Sequence, residues 1–156
     1  MKAEIISVGT ELLLGHTINT DAAHVARALS SLGIDLHHAC VVGDNAARLE
    51  ECLRAALQRS DLIITTGGTG LSPRDVTPEA TLAVLDREIR AIPVAMWVEG
   101  LKITPRAMLS RAVAGTRGRS LIINLPGSEK AARENLFPVI GALEHAMHMI
   151  AAEGHD

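Results

Sequence analysis

Apolar positions along this chain follow two rhythms that take turns. Ala3 to Val8 is a compact apolar run broken only by Glu4 and Ser7 and stopped by Gly9, which predicts a buried strand. Ala22, Val25, Ala26, Leu29 and Leu32 then recur at helical spacing from a cap at Asn19 or Thr20, with Gly33 as the stop. Ile34 to Val42 has strand alternation and ends at Gly43-Asp44-Asn45. Leu49, Cys52, Leu53, Ala56 and Leu57 mark a second helix, closed by Ser60-Asp61 before the apolar run that begins at Leu62. Three strand–helix alternations in succession predict a parallel sheet with right-handed crossovers. Ligands of such sheets bind outside the carboxyl ends of the strands, so Asp44 and the turn after Thr66 are expected to face one crevice.

The second half is less regular. Thr77 as cap and Pro78 at the first helical position start a third helix, expected to run to about Arg90 with Leu82, Leu85 and Ile89 inward and to end before Pro93. Val94 to Lys102 reads as a short helix carrying Trp97, and Thr104-Pro105 as the start of a further turn. Leu109 to Ala114 and Ser120 to Leu125, joined by Thr116-Arg117-Gly118-Arg119, read as a hairpin. A helix over Glu129 to Leu136 is expected to break at Phe137-Pro138, before a last helix with Val139, Ile140, Leu143, Ala146, Met147 and Ile150 on one face. Glu153 to Asp156 is expected to fray. The loop from Thr10 to Ile18 holds Leu12-Leu13-Leu14, which needs cover from the body or a neighbouring subunit; with Trp97 it is the expected contact surface.

The 156 residues contain no repeat or linker and are expected to form a single domain over 1–156. With 47% hydrophobic residues and a net charge of −3, the chain is neither disordered nor built for broad capture of nucleic acid, and any anion site must be local. Trp97 and Phe137 are its only aromatic residues, too few for a base-stacking platform. No apolar stretch approaches the ~18 residues of a membrane span, and no signal-peptide core follows Met1. Cys40 and Cys52 show neither C-x-x-C nor zinc spacing and are expected to be buried free thiols in a reducing, cytoplasmic setting.

The chemistry is expected at Leu62-Ile63-Ile64-Thr65-Thr66-Gly67-Gly68-Thr69-Gly70, continued through Asp75 to the helix start at Thr77. A strand, a glycine turn and a helix N-terminus place backbone N–H groups and a positive dipole end around one cavity, which suits phosphate. A carboxylate within such a site needs a cation beside it, which makes Asp75 a Mg²⁺ ligand or the orienter of one. The plainer alternative is a structural turn, weaker here because strand, helix and acid all accompany the glycines. Asp44 is either a second acid of the site or a turn former, and Glu11 either joins them or is solvated. Asn124 and Ser128 flank Pro126-Gly127 as a pocket wall or a helix-entry turn. Arg74, Lys102, Arg106 and Arg111 are candidate phosphate binders, none decisive alone. The seven histidines show no metal-ligand pattern and read as structural or surface residues; Ser110 has no nearby histidine, and no G-x-S-x-G elbow is present.

The stretch Thr66 to Thr81 resembles the signature of the molybdopterin-binding (MogA/MoaB-like) domain family. Leu101 to Gly115 and Leu121 to Ser128 resemble its molybdopterin adenylyltransferase branch. The resemblance implies a three-layer α/β/α domain with a mostly parallel central sheet, usually a homotrimer. The reaction it implies is Mg²⁺-dependent attack of the molybdopterin phosphate on the α-phosphorus of ATP, giving adenylyl-molybdopterin and pyrophosphate. Asp75 and Asp44 match the family's two functional aspartates, as catalytic residues and metal ligands. Gly67, Gly68, Thr69 and Gly70 match its phosphate loop, and Ser110, Asn124, Pro126, Gly127 and Ser128 its pocket walls.

The first sixty residues resemble a different branch. Val8 to Gly15, Ile18-Asn19-Thr20 and Val42 to Asn45 are similar to the competence-damage-inducible (CinA) N-terminal domain and to the third domain of molybdopterin molybdenumtransferases. Adenylyltransferases carry a Ser-Asp pair after the first strand, where this chain has Gly9-Thr10-Glu11. The CinA likeness implies hydrolysis of nucleotide pyrophosphates such as ADP-ribose in the same crevice, with water as nucleophile. A non-catalytic molybdopterin-binding protein is the third expectation, since a fold alone does not establish turnover.

Overall fold

A computed structural model describes residues 1–152. The expectation of fraying at Glu153 to Asp156 lies outside the described residues. The first half follows the hydrophobic rhythm closely: β1 (Lys2–Val8), a four-residue helix α1 (Thr10–Leu13), α2 (Thr20–Ser31), β2 (Asp35–Val42), α3 (Ala46–Leu57) and β3 (Leu62–Thr66). Then come α4 (Thr77–Val84), β4 (Arg87–Glu88), α5 (Ala91–Leu101), a 3₁₀ turn (Pro105–Leu109), β5 (Ala114–Arg117), β6 (Ser120–Leu125) and α6 (Glu129–Ala152).

The strands form one sheet in the order β2-β1-β3-β6-β5-β4. The β2-β1-β3-β6 part is parallel, while β5 and β4 extend it antiparallel. Period-two alternation divides each central strand between two cores. Ala3, Ile5, Leu62, Ile64, Leu121 and Ile123 pack under α2, α5 and α6. Ile6, Ile63 and Ile122 pack under α3 and α4. Both faces of β1, β3 and β6 are covered, which is why these strands read as nearly continuous apolar runs.

Several expectations are corrected. The helix after the glycine turn ends at Val84, because residues 85–89 pair with the hairpin: Asp86 N donates to Thr116 O at 2.8 Å and Ile89 N to Ala114 O at 2.8 Å. Leu82 consequently points outward at 44% exposure, and Ala80, Thr81 and Val84 are the buried residues. Pro93 lies in the first turn of α5 instead of stopping a helix, where its missing N–H costs no intrahelical bond. The hairpin begins at Ala114, with 109–113 left outside the strand.

The break expected at Phe137-Pro138 is absent, as α6 runs unbroken through Pro138. A proline inside a helix costs about 3 kcal/mol, but burying each large apolar side chain contributes roughly 1.5–3 kcal/mol. Leu136, Val139, Leu143 and Met147 are all buried on the sheet, so continuous packing outweighs the lost bond. Phe137, on the opposite side, stays exposed. Leu13 and Leu14 are also exposed within the single chain, so the body does not supply the cover expected for them. No helix among the described residues is long and apolar enough to cross a membrane.

Glu4 is the one charged residue of the central strands that is fully buried. Its carboxylate accepts Arg59 Nε at 3.1 Å and Ser60 Oγ at 2.8 Å, with Arg59 Nη2 completing a bidentate pair, and lies 2.8 Å from His38 Nδ1. Burial pushes its pKa up, but the hydrogen bonds from Arg59 and Ser60 and the charges of Arg59 and His38 together outweigh burial and hold it below the ordinary value. A depressed folded-state value contributes stability that is present above the unfolded pKa and is lost as pH falls through the folded one. Equilibrium denaturation is therefore expected to show stability falling with a steepening slope below about pH 4.3, and Glu4→Gln is expected to flatten that slope.

Candidate functional site

The carboxyl ends of β1, β2, β3 and β6 meet around a cavity of about 420 Å³. Val8 ends β1 there, Asp44 follows β2, Gly67 and Gly68 follow β3, and Gly127 and Ser128 follow β6. A second cavity of about 400 Å³ adjoins it and shares Gly68, Asp75, Gly127 and Ser128.

The glycine turn owes its shape to close approach. Gly67 and Gly68 have φ of +91° and +71°, a region that side chains rarely adopt. A Cβ at Gly67 would overlap the Val8 carbonyl oxygen, and one at Gly68 the Thr77 hydroxyl. Gly127 packs against the same turn, with its Cβ position 3.2 Å from Gly67 Cα. Arg111 takes up the turn's carbonyls: its N–H donates to Thr69 O at 2.9 Å, Nε to Gly70 O at 2.8 Å and Nη2 to Asp75 O at 2.8 Å, while Nη1 ion-pairs with Glu79. The amides of Gly68, Thr69 and Gly70, by contrast, donate to no acceptor among the described residues. Committed carbonyls and free N–H groups make the turn an anion cradle.

Two acids stand at this cradle. Asp44 Oδ2 accepts Thr10 N at 3.2 Å while Asp44 N donates to Thr10 Oγ1 at 3.1 Å, tying the end of β2 to the end of β1. Asp75 Oδ2 accepts Ser72 N at 3.0 Å, and Asp75 N returns a bond to Ser72 O at 2.9 Å. Each carboxylate is fixed through one oxygen and keeps the other uncommitted among the described residues. Glu11 joins them on the cavity wall. The three carboxylates line one cavity beside the free amides without converging within 4.8 Å of one another as a set, so Mg²⁺, a hard cation that takes one or two carboxylates together with substrate phosphates, would draw on Asp44 or Asp75 and on the phosphates.

The first cavity thus brings together Glu11, Asp44, Gly67, Gly68, Asp75, Gly127 and Ser128. Thr69, Gly70, Ser110 and Pro126 line the second. Asn124 lines neither and is corrected: it is fully buried, accepting Val113 N at 3.1 Å and donating to Thr65 Oγ1 at 2.9 Å and Thr81 Oγ1 at 3.0 Å. It joins β6 to β3 and α4 instead of walling a pocket. Asn124→Ala would remove three hydrogen bonds, leaving Thr65 Oγ1 and the half-buried Val113 N without this partner while Thr81 Oγ1 keeps its bond to Thr77 O, and is expected to cost roughly 2–4 kcal/mol in chemical denaturation. An Asn124→Ala protein as stable as the parent would remove that assignment.

Of the basic candidates, Arg74 lines the first cavity and Arg106 the second. Arg111 is a loop clamp, and Lys102 pairs with Glu99 at 2.9 Å. Thr77 is not the helix cap expected: Val76 holds that position, and the Thr77 hydroxyl donates to Gly67 O at 2.9 Å. The helix N-termini that reach the cavity are those of α2, at Asn19, Thr20 and Asp21, and of α6, where Ser128 Oγ accepts Ala131 N at 3.2 Å. Asp21 was missed altogether. It lines the first cavity at 7% exposure, and burial, with the nearby Glu129 charge, raises its carboxyl above the ordinary value despite His24. Its only sequence signal was a place beside the Asn19 cap, which reads as helix chemistry.

Residues 4–145 match the family model described as a probable molybdopterin binding domain. The structure is similar to that of the molybdopterin biosynthesis enzyme MoaB from Thermus thermophilus, with a TM-score of 0.91, 40% identity, and 97% and 96% of the two chains covered. It is similar also to a MogA structure, with a TM-score of 0.92, 38% identity, and coverage of 96% and 99%. A CinA-like protein of Desulfovibrio desulfuricans is 66% identical over 85 residues, 54% of this chain and 20% of that protein. The matched stretches span between 12% and 23% of the length of the curated relatives.

Proposed function

The chain belongs to the molybdopterin-binding domain family, and on that footing we propose that it is a molybdopterin adenylyltransferase that uses Mg²⁺ and ATP. The observation that carries this reading is the pairing of a free-amide turn with two half-committed aspartates at the mouth of one crevice. The molybdopterin phosphate attacks the α-phosphorus of ATP, and pyrophosphate leaves. The amides of Gly68, Thr69 and Gly70 are free to hold phosphate oxygens, and Asp44 and Asp75 are the residues that would hold Mg²⁺. When bound there, the ion would supply neutralisation of phosphate charge. Two adjoining cavities of about 420 and 400 Å³ leave room for a nucleotide and a pterin side by side. Binding both in line supplies much of the acceleration by removing orientational freedom.

A second reading is a nucleotide pyrophosphatase acting on compounds such as ADP-ribose. It is favoured by the 66% identity to the CinA-like protein and by Gly9-Thr10-Glu11 after the first strand. Pyrophosphate release from ATP and Mg²⁺, measured with and without molybdopterin, separates them. Release that depends on molybdopterin is the expected result. Cleavage of ADP-ribose without molybdopterin would favour the second reading, and binding of molybdopterin with neither product would mean a non-catalytic binding protein.

The assembly proposed is a homotrimer. Val94, Val98 and Leu101 on α5, with Met108 and Leu109 in the 3₁₀ turn that packs against it, are apolar and exposed. Light scattering is expected to give three times the 16.5 kDa chain mass, and a monomer at micromolar concentration would remove this part of the proposal.

A further inference from the structure

Cys40 in β2 and Cys52 in α3 bring their sulfur atoms to 3.4 Å, on either side of the loop that carries Asp44. Both are free and half-buried against the core under α3 and α4. The same neighbourhood holds Glu4 and His38, and one ligand atom from each of Glu4, His38 and Cys40 falls within 4.8 Å of the others. A metal ion is nevertheless poorly served there. Arg59 already ion-pairs with Glu4, and its guanidinium lies 3.4 Å from His38 Nδ1, so a positive charge stands where a cation would enter. Thiol chemistry faces no such obstacle.

We propose that Cys40 and Cys52 are an oxidation site for hydroperoxides, closing an intramolecular disulfide that staples β2 to α3 across the Asp44 loop. A disulfide needs the sulfur atoms at about 2.05 Å, so they must close by roughly 1.4 Å, within reach of side-chain rotation and a small shift of an edge strand against its helix. Either thiol can donate in the S–H···S contact; with Cys40 as donor, the bond lowers the Cys52 pKa against the opposing effect of burial and, together with burial, raises that of Cys40. In that arrangement Cys52 is the attacking sulfur.

Its thiolate attacks one oxygen of the hydroperoxide, the O–O bond breaks, and the departing oxygen takes up a proton as water or an alcohol, leaving a sulfenic acid on Cys52. The Cys40 sulfur then attacks the Cys52 sulfur, the S–O bond breaks, and that oxygen leaves as water carrying the Cys40 proton. Two thiols lose two electrons and the peroxide gains them. The bridge ties together the two elements that flank residues 43–45, so the loop holding Asp44 becomes less free to open. That last consequence matters for turnover only if the proposed function holds; the disulfide itself does not depend on it.

The test treats the reduced full chain with equimolar hydrogen peroxide, then alkylates it under denaturing conditions and weighs it intact. Expected are loss of two hydrogen atoms, loss of both alkylation sites, migration as a single chain on a non-reducing gel, and full recovery with dithiothreitol. Amide exchange across 43–45 is expected to slow in the oxidised protein. In Cys40→Ser, a sulfenic-acid trap is expected to label Cys52. Two thiols still alkylated, added oxygen without loss of hydrogen, or disulfides between chains would each overturn the proposal. So would zinc retained by the reduced protein and shielding both thiols, which would make the cluster a metal centre. Unchanged exchange at 43–45 in a correctly bridged protein would overturn the staple.

Discussion

Asp75→Asn is expected to lower turnover by about a hundredfold or more while leaving the fold unchanged. The Asp75 carboxylate has two separable duties in this structure. One oxygen accepts Ser72 N at 3.0 Å and closes the loop, and the other is uncommitted at the cavity shared with Asp44 and Glu11. An asparagine amide keeps the first duty, because its carbonyl oxygen accepts the same N–H, and loses the negative charge that the second requires. The near-isosteric amide is the fitting probe because it keeps the shape of the side chain and removes only its charge. Thermal unfolding is expected to coincide with the parent, and the Mg²⁺ concentration for half-maximal activity to rise. The same loss is expected whether the nucleophile is a molybdopterin phosphate or water, because both readings place the cation at Asp75. Parent-like turnover in Asp75→Asn would remove the site assignment itself.

The second large effect is on stability. Gly67→Ala is expected to destabilise the protein by about 3–5 kcal/mol, a large part of the roughly 5–15 kcal/mol typical of a domain. Two costs combine. The positive φ of +91° disfavours any side chain by roughly 1–2 kcal/mol, and the new Cβ would overlap the Val8 carbonyl oxygen. That oxygen is backbone of a central strand and cannot rotate away. Gly118 supplies the control: its φ is +56° but its Cβ position meets nothing within 4 Å, so Gly118→Ala is expected to carry only the backbone cost of about 1 kcal/mol. The difference between the two variants in urea denaturation isolates close approach. Equal costs would mean that the turn is shaped by dihedral preference alone.

These two residues illustrate what could be read from the chain without its structure. The strand run, the three glycines and the acid five residues beyond them are adjacent in sequence, so their meaning survived translation into space. The same holds for the βα alternation of the first half, whose periodicities carry both element type and parallel order. Legibility failed where a residue's partner is far along the chain. Asn124 sits beside Pro126 and Gly127 in sequence and so read as a pocket wall, but its amide faces Thr65 and Thr81 across the sheet. Arg111 read as a phosphate binder, yet commits its guanidinium to the backbone around Gly70 and Asp75.

Local pattern was enough to locate the three strands and the two long helices of the first half, though not the four-residue α1, to make the sheet mainly parallel, and to put the glycine turn and Asp44 at the carboxyl ends of its strands. Each follows from periodicity or from a steric demand that only one residue type meets. Three other outcomes arose only on assembly: α6 continues through Pro138, residues 85–89 leave the helix to pair with β5, and Asp21 is buried at the cavity. They are set by which groups remain unpaired, or which apolar faces remain uncovered, once distant elements have been brought together. Local preference amounts to about a kilocalorie per residue, and burial or an orphaned polar group to several, so the larger assembled contribution prevails.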